Sequence, residues 1–149
     1  MFARLIQHGI QSVPNIRRIV EAFSSGGGDL GHLPIGRFVY VSSSDESARA
    51  ELLPVIQMLT DRLRKAGIPS RAGTLTEREL DPEGFYREMV IAGGPHSCRE
   101  QLKELQRMTG CRHVNCLAAF FGFLPPDLFQ RSLQLFAEEV MPHLGDCSK

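Results

Sequence analysis

Tryptophan is missing from this chain and tyrosine occurs twice, so the nine phenylalanines carry most of its aromatic bulk. Net charge is missing too, with 17 basic and 17 acidic side chains. That balance gives no sign of a strongly basic groove for nucleic acid and no bulk repulsion against self-association. No stretch is long and apolar enough to span a bilayer. The opening MFARLIQHGIQ lacks a secretory core, being interrupted early by Arg4, Gln7 and His8, so a cytoplasmic protein is expected. Cys98, Cys111, Cys116 and Cys147 make no CxxC pair, which points away from a zinc site or a thioredoxin-type motif. They are expected to be reduced and packed as small apolar residues. No metal constellation and no nucleophile triad is visible.

What is present is an ordinary globular composition, 42% hydrophobic over 149 residues, enough for one α/β domain spanning 1–149. Residues 1–35 read as a helical segment followed by a Gly-rich loop. Ala3 to Phe23 supplies one or two short helices broken by Pro14, and Ser24 to Asp29, with its three glycines, reads as a linker. It lacks the GxxxxGK[ST] pattern of a phosphate loop. Arg37 to Val41 is continuous and rich in β-branched and aromatic residues, as befits a strand covered on both faces. Ser43 and Glu46 have capping-box spacing. Behind them Ala48, Leu52, Val55, Leu59 and Leu63 form an amphipathic stripe closed by Gly67.

Ile68 to Phe85 reads as a long loop with one helical turn at most. Met89 to Ala92 is a second short buried strand. Gly93-Gly94-Pro95 turns into a helix with Cys98, Leu102, Leu105 and Met108 on its buried stripe and Gly110 at its end. A third strand centres on Val114 to Ala118. Pro126 and Asp127 open a last helix with Phe129, Leu133, Phe136 and Val140 inward. Strands separated by helices imply parallel pairing and right-handed crossovers.

The best candidate site is Gly93, Gly94, His96 and Ser97. The first amides of a helix lack intrahelical acceptors and lie at its positive end, and adjacent glycines let an anion approach the backbone. The bland alternative is that Gly-Gly-Pro only makes the turn. His113 as a general base, Asn115 as a polar group inside a buried strand and Phe120, Phe121 and Phe123 as a pocket frame are weaker candidates beside ordinary structural roles. Glu138 and Glu139 read as a solvated face.

Two segments go beyond pattern. Val90-Ile91-Ala92-Gly93-Gly94-Pro95-His96-Ser97, and Phe121-Gly122-Phe123-Leu124-Pro125 leading to Phe136-Ala137-Glu138-Glu139-Val140-Met141-Pro142, resemble the C-terminal end of the bacterial luciferase-like, flavin-dependent monooxygenases. In that family a strand ending Ala-Gly-Ser-Pro-Glu opens a helix, and a later helix ends like Phe-Ala-Glu-Glu-Val-Met-Pro. Phe38 to Val41 with Asp45, Glu46 and Ala48 resembles an earlier strand and helix of the family. The match runs from about 36 to 145.

The resemblance implies part of a (β/α)8 barrel, a fold of roughly 250 residues. About three strands cannot close one, so an incomplete barrel wall is expected, with an apolar concave face and open edges. A homodimer or higher assembly, or a partner chain that completes the barrel, follows as the expected remedy. The resemblance also implies reduced flavin mononucleotide (FMN), its phosphate at Gly93, Gly94, His96 and Ser97. Here Gly94 stands for the family's Ser, and His96 for its Glu. The function implied is that of a luciferase-like monooxygenase member lacking the N-terminal barrel. The alternative is a non-catalytic, self-associating α/β module or a barrel-completing subunit.

Overall fold

Pro34 to Val41 forms strand β1, and its side chains alternate between two separate cores. Phe38 and Tyr40 point into one apolar cluster; Ile35, Val39 and Val41 point into the other. The structure is a computed structural model that describes residues 11–67 and 76–145. The first part of the helix expected from Ala3, most of the first half of the loop expected from Ile68, and Cys147 lie outside the described residues.

In chain order the elements are α1 (Val13–Ser25), β1, α2 (Asp45–Lys65), α3 (Glu77–Leu80), α4 (Pro82–Met89), β2 (Val90–Gly93), α5 (Pro95–Thr109), β3 (His113–Leu117) and α6 (Pro126–Leu135). A π-helical turn, Phe136–Val140, continues α6. Pro14 lies in the first turn of α1 rather than breaking a helix, where its missing N–H costs nothing. The cap of α2 is Ser44, whose hydroxyl accepts from the Ser47 amide at 3.1 Å, one residue after the expected Ser43. The expected loop before β2 holds two short helices. Thr76 and Glu79 make a reciprocal capping box for α3, and Asp81 caps α4 with Pro82 in its first turn.

The three strands form one parallel sheet in the order β2-β1-β3. Consecutive barrel strands would set β2 in the middle; here β1 is central. The consequence is geometric. The crossover from β1 to β2 runs one way along the sheet, and that from β2 to β3 runs back past β1. Right-handed crossovers in opposite directions place their helices on opposite faces. Accordingly α2 and α4 pack with Phe38, Tyr40, Val90 and Ala92, while α1 and α5 pack with Val39, Val41 and Ile91. The expected bare concave face is therefore corrected: both faces of β1 and β2 are covered by the chain itself.

β3 is less covered than expected. Val114 and Leu117 pack inward, while His113, Asn115 and Cys116 are exposed. Beyond β3 the chain turns through Phe120 and Phe121, both left-handed at φ 48° and 55°, a conformation that costs of order 1–3 kcal/mol per non-glycine residue. Phe120 stacks on Phe38 with ring centroids 4.8 Å apart, and burial of that ring offsets strain.

The π-helical turn rotates the last helix about its axis. Leu128 and Phe129 face the first core, Leu135, Phe136 and Val140 the second, and Leu133, expected inside, is exposed. Beside the C-terminal half of β1, past the end of β3, the Val41 amide donates to the Ser132 hydroxyl at 2.8 Å. The hydroxyl thus takes over where the ladder stops. Ser132→Ala strands a buried N–H, and a loss of about 1–3 kcal/mol in unfolding free energy is expected. Urea denaturation measures it; an unchanged midpoint would mean that α6 does not seal this edge.

Candidate functional site

Ligands of parallel α/β sheets lie beyond the C-terminal ends of the strands, and the β2–α5 turn is there. Gly93 ends β2 at φ +149°, a conformation open to glycine. Gly94 is the N-cap of α5, and Pro95 begins the helix. Gly93, Gly94, His96 and Ser97 lie at this turn, and the structure adds Asp45, which the sequence offered only as part of the helix after β1 and not as a site residue. The Gly94 amide donates to Asp45 Oδ1 at 2.7 Å, across 49 residues of chain. A Cβ at Gly93 would lie 2.4 Å from that same oxygen.

The carboxylate of the first turn of α2 thus sits in the glycine cradle of α5. A phosphate on the Gly94 amide would have to share its donor with a carboxylate and would be repelled by it. As arranged, the cradle does not fit the phosphate of FMN. Ser97 is half-buried, and its hydroxyl accepts from Gln101 Nε2 at 3.2 Å. His96 is exposed. Cys98, one turn into α5, is fully buried with its sulfur 3.6 Å from the carbonyls of Tyr40 and Gly93, and burial pushes its thiol up to about 12. It is packed and protonated, as expected of a structural cysteine.

A second polar group lies at the end of β1. Glu51 Oε2 accepts from the Tyr40 hydroxyl and from the Ser42 hydroxyl, both at 2.7 Å. Its other oxygen accepts from Arg131 on α6. One carboxylate therefore joins β1, α2 and α6. Burial, together with the bond to Glu51, pushes the Tyr40 hydroxyl up to about 12. Sequence reasoning missed this group, because Glu51 and Arg131 lie 80 residues apart and neither belongs to a local motif.

The weaker candidates fall elsewhere. His113 Nδ1 is 2.9 Å from the Gly31 carbonyl, which ties β3 to the turn before β1. Asn115 is exposed, so the expectation of a buried polar group is corrected. Phe121 is 59% exposed and meets the Phe38 ring edge-on, whereas Phe120 belongs to the core. Glu138 and Glu139 are exposed as expected. Among the described residues no group of three or more His, Cys, Asp or Glu is arranged to hold a metal, and no helix is long and apolar enough to cross a membrane.

The Glu51 junction has a pH signature. Burial alone would raise the Glu51 carboxyl, but the bonds from Tyr40, Ser42 and Arg131 outweigh it and hold the group below its ordinary value. A depressed carboxylate contributes stability that is full above its unfolded value and lost as pH falls through the folded one. The stability gap between wild type and Glu51→Gln should be widest at neutral pH and shrink in acid. Urea midpoints across that range read it; a gap independent of pH would contradict the assignment.

No protein-family model matches the sequence, and no curated relative does. Solved structures do match. One is a type II Baeyer–Villiger monooxygenase, the oxygenating constituent of 3,6-diketocamphane monooxygenase from the CAM plasmid of Pseudomonas putida, in complex with FMN. It aligns with a TM-score of 0.58 at 18% identity, covering 91% of this chain and 41% of its own. Another is the monooxygenase RslO1 from Streptomyces bottropensis, with a TM-score of 0.56 at 16% identity, covering 89% of this chain and 39% of its own. The chain thus spans about two fifths of the length of either structure. At this identity the likeness is one of fold: an α/β unit with a three-stranded parallel sheet resembles part of two monooxygenases.

Proposed function

We propose that this chain is a luciferase-like flavin-monooxygenase module by descent, and that it meets flavin only within an assembly. The observation that carries this reading is the fold likeness over 91% of the chain to a monooxygenase in complex with FMN, of which it spans 41%. The long mixed motif from Phe121 to Pro142 points the same way. In such an assembly the flavin would carry the oxygen chemistry, and protein residues would position it and exclude water. Because Asp45 occupies the glycine cradle, His96 is the site residue left outward to meet an anionic group. The surface open to assembly is the outer side of β3, where Asn115 and Cys116 are exposed and where, among the described residues, no strand pairs. An unpaired strand edge of this kind templates association.

A second reading is favoured by one specific observation. The Asp45–Gly94 bond supplies the α5 N-terminus with an anion of its own, as a non-catalytic, self-associating module would need. Size-exclusion chromatography with added FMN separates the two. Under the first reading flavin co-elutes with an oligomer and is absent from monomer, and Asp45→Asn, which removes a negative charge from the turn, strengthens its retention. A colourless protein in every fraction, for wild type and Asp45→Asn alike, would overturn the first reading and leave the second.

A further inference from the structure

Between β2, α5 and the start of α1 lies a cavity of about 490 Å³, within the size range of small-molecule sites. Ile91, Leu105 and Met108 give it apolar walls, and Ser97, Gln101 and Arg37 line it together with Glu100 and Glu104, two carboxylates whose charge is met by Lys103 and Arg107. Register puts Phe38 opposite Val90, so Arg37 stands one residue short of the β1–β2 pairing, where no β2 residue lies beside it.

Arg37 is 5% exposed. One Nη donates to the Gln11 carbonyl at 3.1 Å, while Nε has no hydrogen-bond partner. Among the described residues no carboxylate is ion-paired with it. The other two arginines on the cavity wall are matched: Arg87 with Glu88 and Arg107 with Glu104. Glu88 acts on Arg37 only through space. Burial wins over that attraction and pushes the guanidinium down to about 10. A buried cation without a paired counter-ion costs several kcal/mol unless something compensates it, and among the described residues only the Gln11 carbonyl and the through-space attraction of Glu88 do so.

We propose that this cavity binds a small oxyanion-bearing molecule with an apolar body, its carboxylate or phosphate held by Arg37. The planar fork of arginine suits such groups, and the aliphatic walls suit the rest of the ligand. An added β-strand is the less favoured occupant. Gln101 Nε2 already donates to the Ala92 carbonyl at 2.8 Å, which blunts the edge of β2. The site shares Ser97 with the glycine turn, but it is argued from Arg37 and does not rest on the flavin reading.

The experiment is a titration followed through backbone amide NMR shifts at constant ionic strength, with sodium benzoate, phenyl phosphate and neutral benzamide. Benzoate, phenyl phosphate or both should saturate, with the largest shifts at Ile91, Ser97 and Leu105, and benzamide should not. Which anion binds more tightly distinguishes a carboxylate from a phosphate ligand. Arg37→Met should weaken binding by about tenfold, the worth of a charge-assisted hydrogen bond. That variant should fold, since exchanging an unpaired buried cation for an apolar chain is neutral or stabilising. Met108→Trp, which fills the cavity and leaves the charge in place, should abolish the shifts and keeps the proposal testable if Arg37→Met does not fold. No saturable shift with either anion, equal shifts with benzamide, or unchanged affinity in the Arg37→Met or Met108→Trp variant would overturn the proposal.

Discussion

Everything in this molecule is arranged about β1. It is the one strand of the described sheet that bonds on both sides, to β2 through Phe38–Val41 and to β3 through Pro34–Phe38. Its side chains feed both cores. Because it is central, the two crossovers must travel in opposite directions, and their helices must cover opposite faces. An apolar run such as Phe38-Val39-Tyr40-Val41 then has nowhere wet to point, and all four residues are buried. Burial of such side chains is worth about 1.5–3 kcal/mol each, so β1 and its two linings are the main store of stability.

The ends of β1 are where polar chemistry is needed, and each end shows a different solution. At the C-terminal end the demands are met internally. Ser132 takes the Val41 amide, Glu51 gathers Tyr40, Ser42 and Arg131, and Asp45 takes the Gly94 amide. At that end each of these polar groups has its partner within the chain. Towards the N-terminal end the demand is unmet: Arg37, which lines the cavity, is buried and its Nε has no partner. The usual expectation for a parallel sheet, a ligand at the carboxyl ends of its strands, is thus weaker here than the claim of Arg37.

Much of the fold was legible in the sequence. The apolar run after Arg37, the stripe from Ala48 to Leu63 and the Gly93–Gly110 frame of α5 each follow from local periodicity and capping, and the structure has them. α3 and α4 were legible too, in the Thr76–Glu79 capping box and the Asp81-Pro82 start, but were masked by nearby glycines and prolines. Strand order was not legible. Periodicity tells which residues face inward and is silent on whether a crossover returns past its first strand. Asp45 was hidden for a similar reason, since its partner is 49 residues away and the contact exists only once α2 and α5 lie side by side. The exposure of Asn115 follows from β3 being an edge strand, again a matter of order.

Amide hydrogen exchange tests the central position of β1 most directly. With β1 in the middle, the amides of Val39 and Tyr40 should be among the slowest to exchange, at or near the rate of global unfolding, while those of β2 and β3 exchange sooner through their open edges. Slowest exchange in β2, with β1 opening early, would mean the strands lie in chain order and would contradict the account.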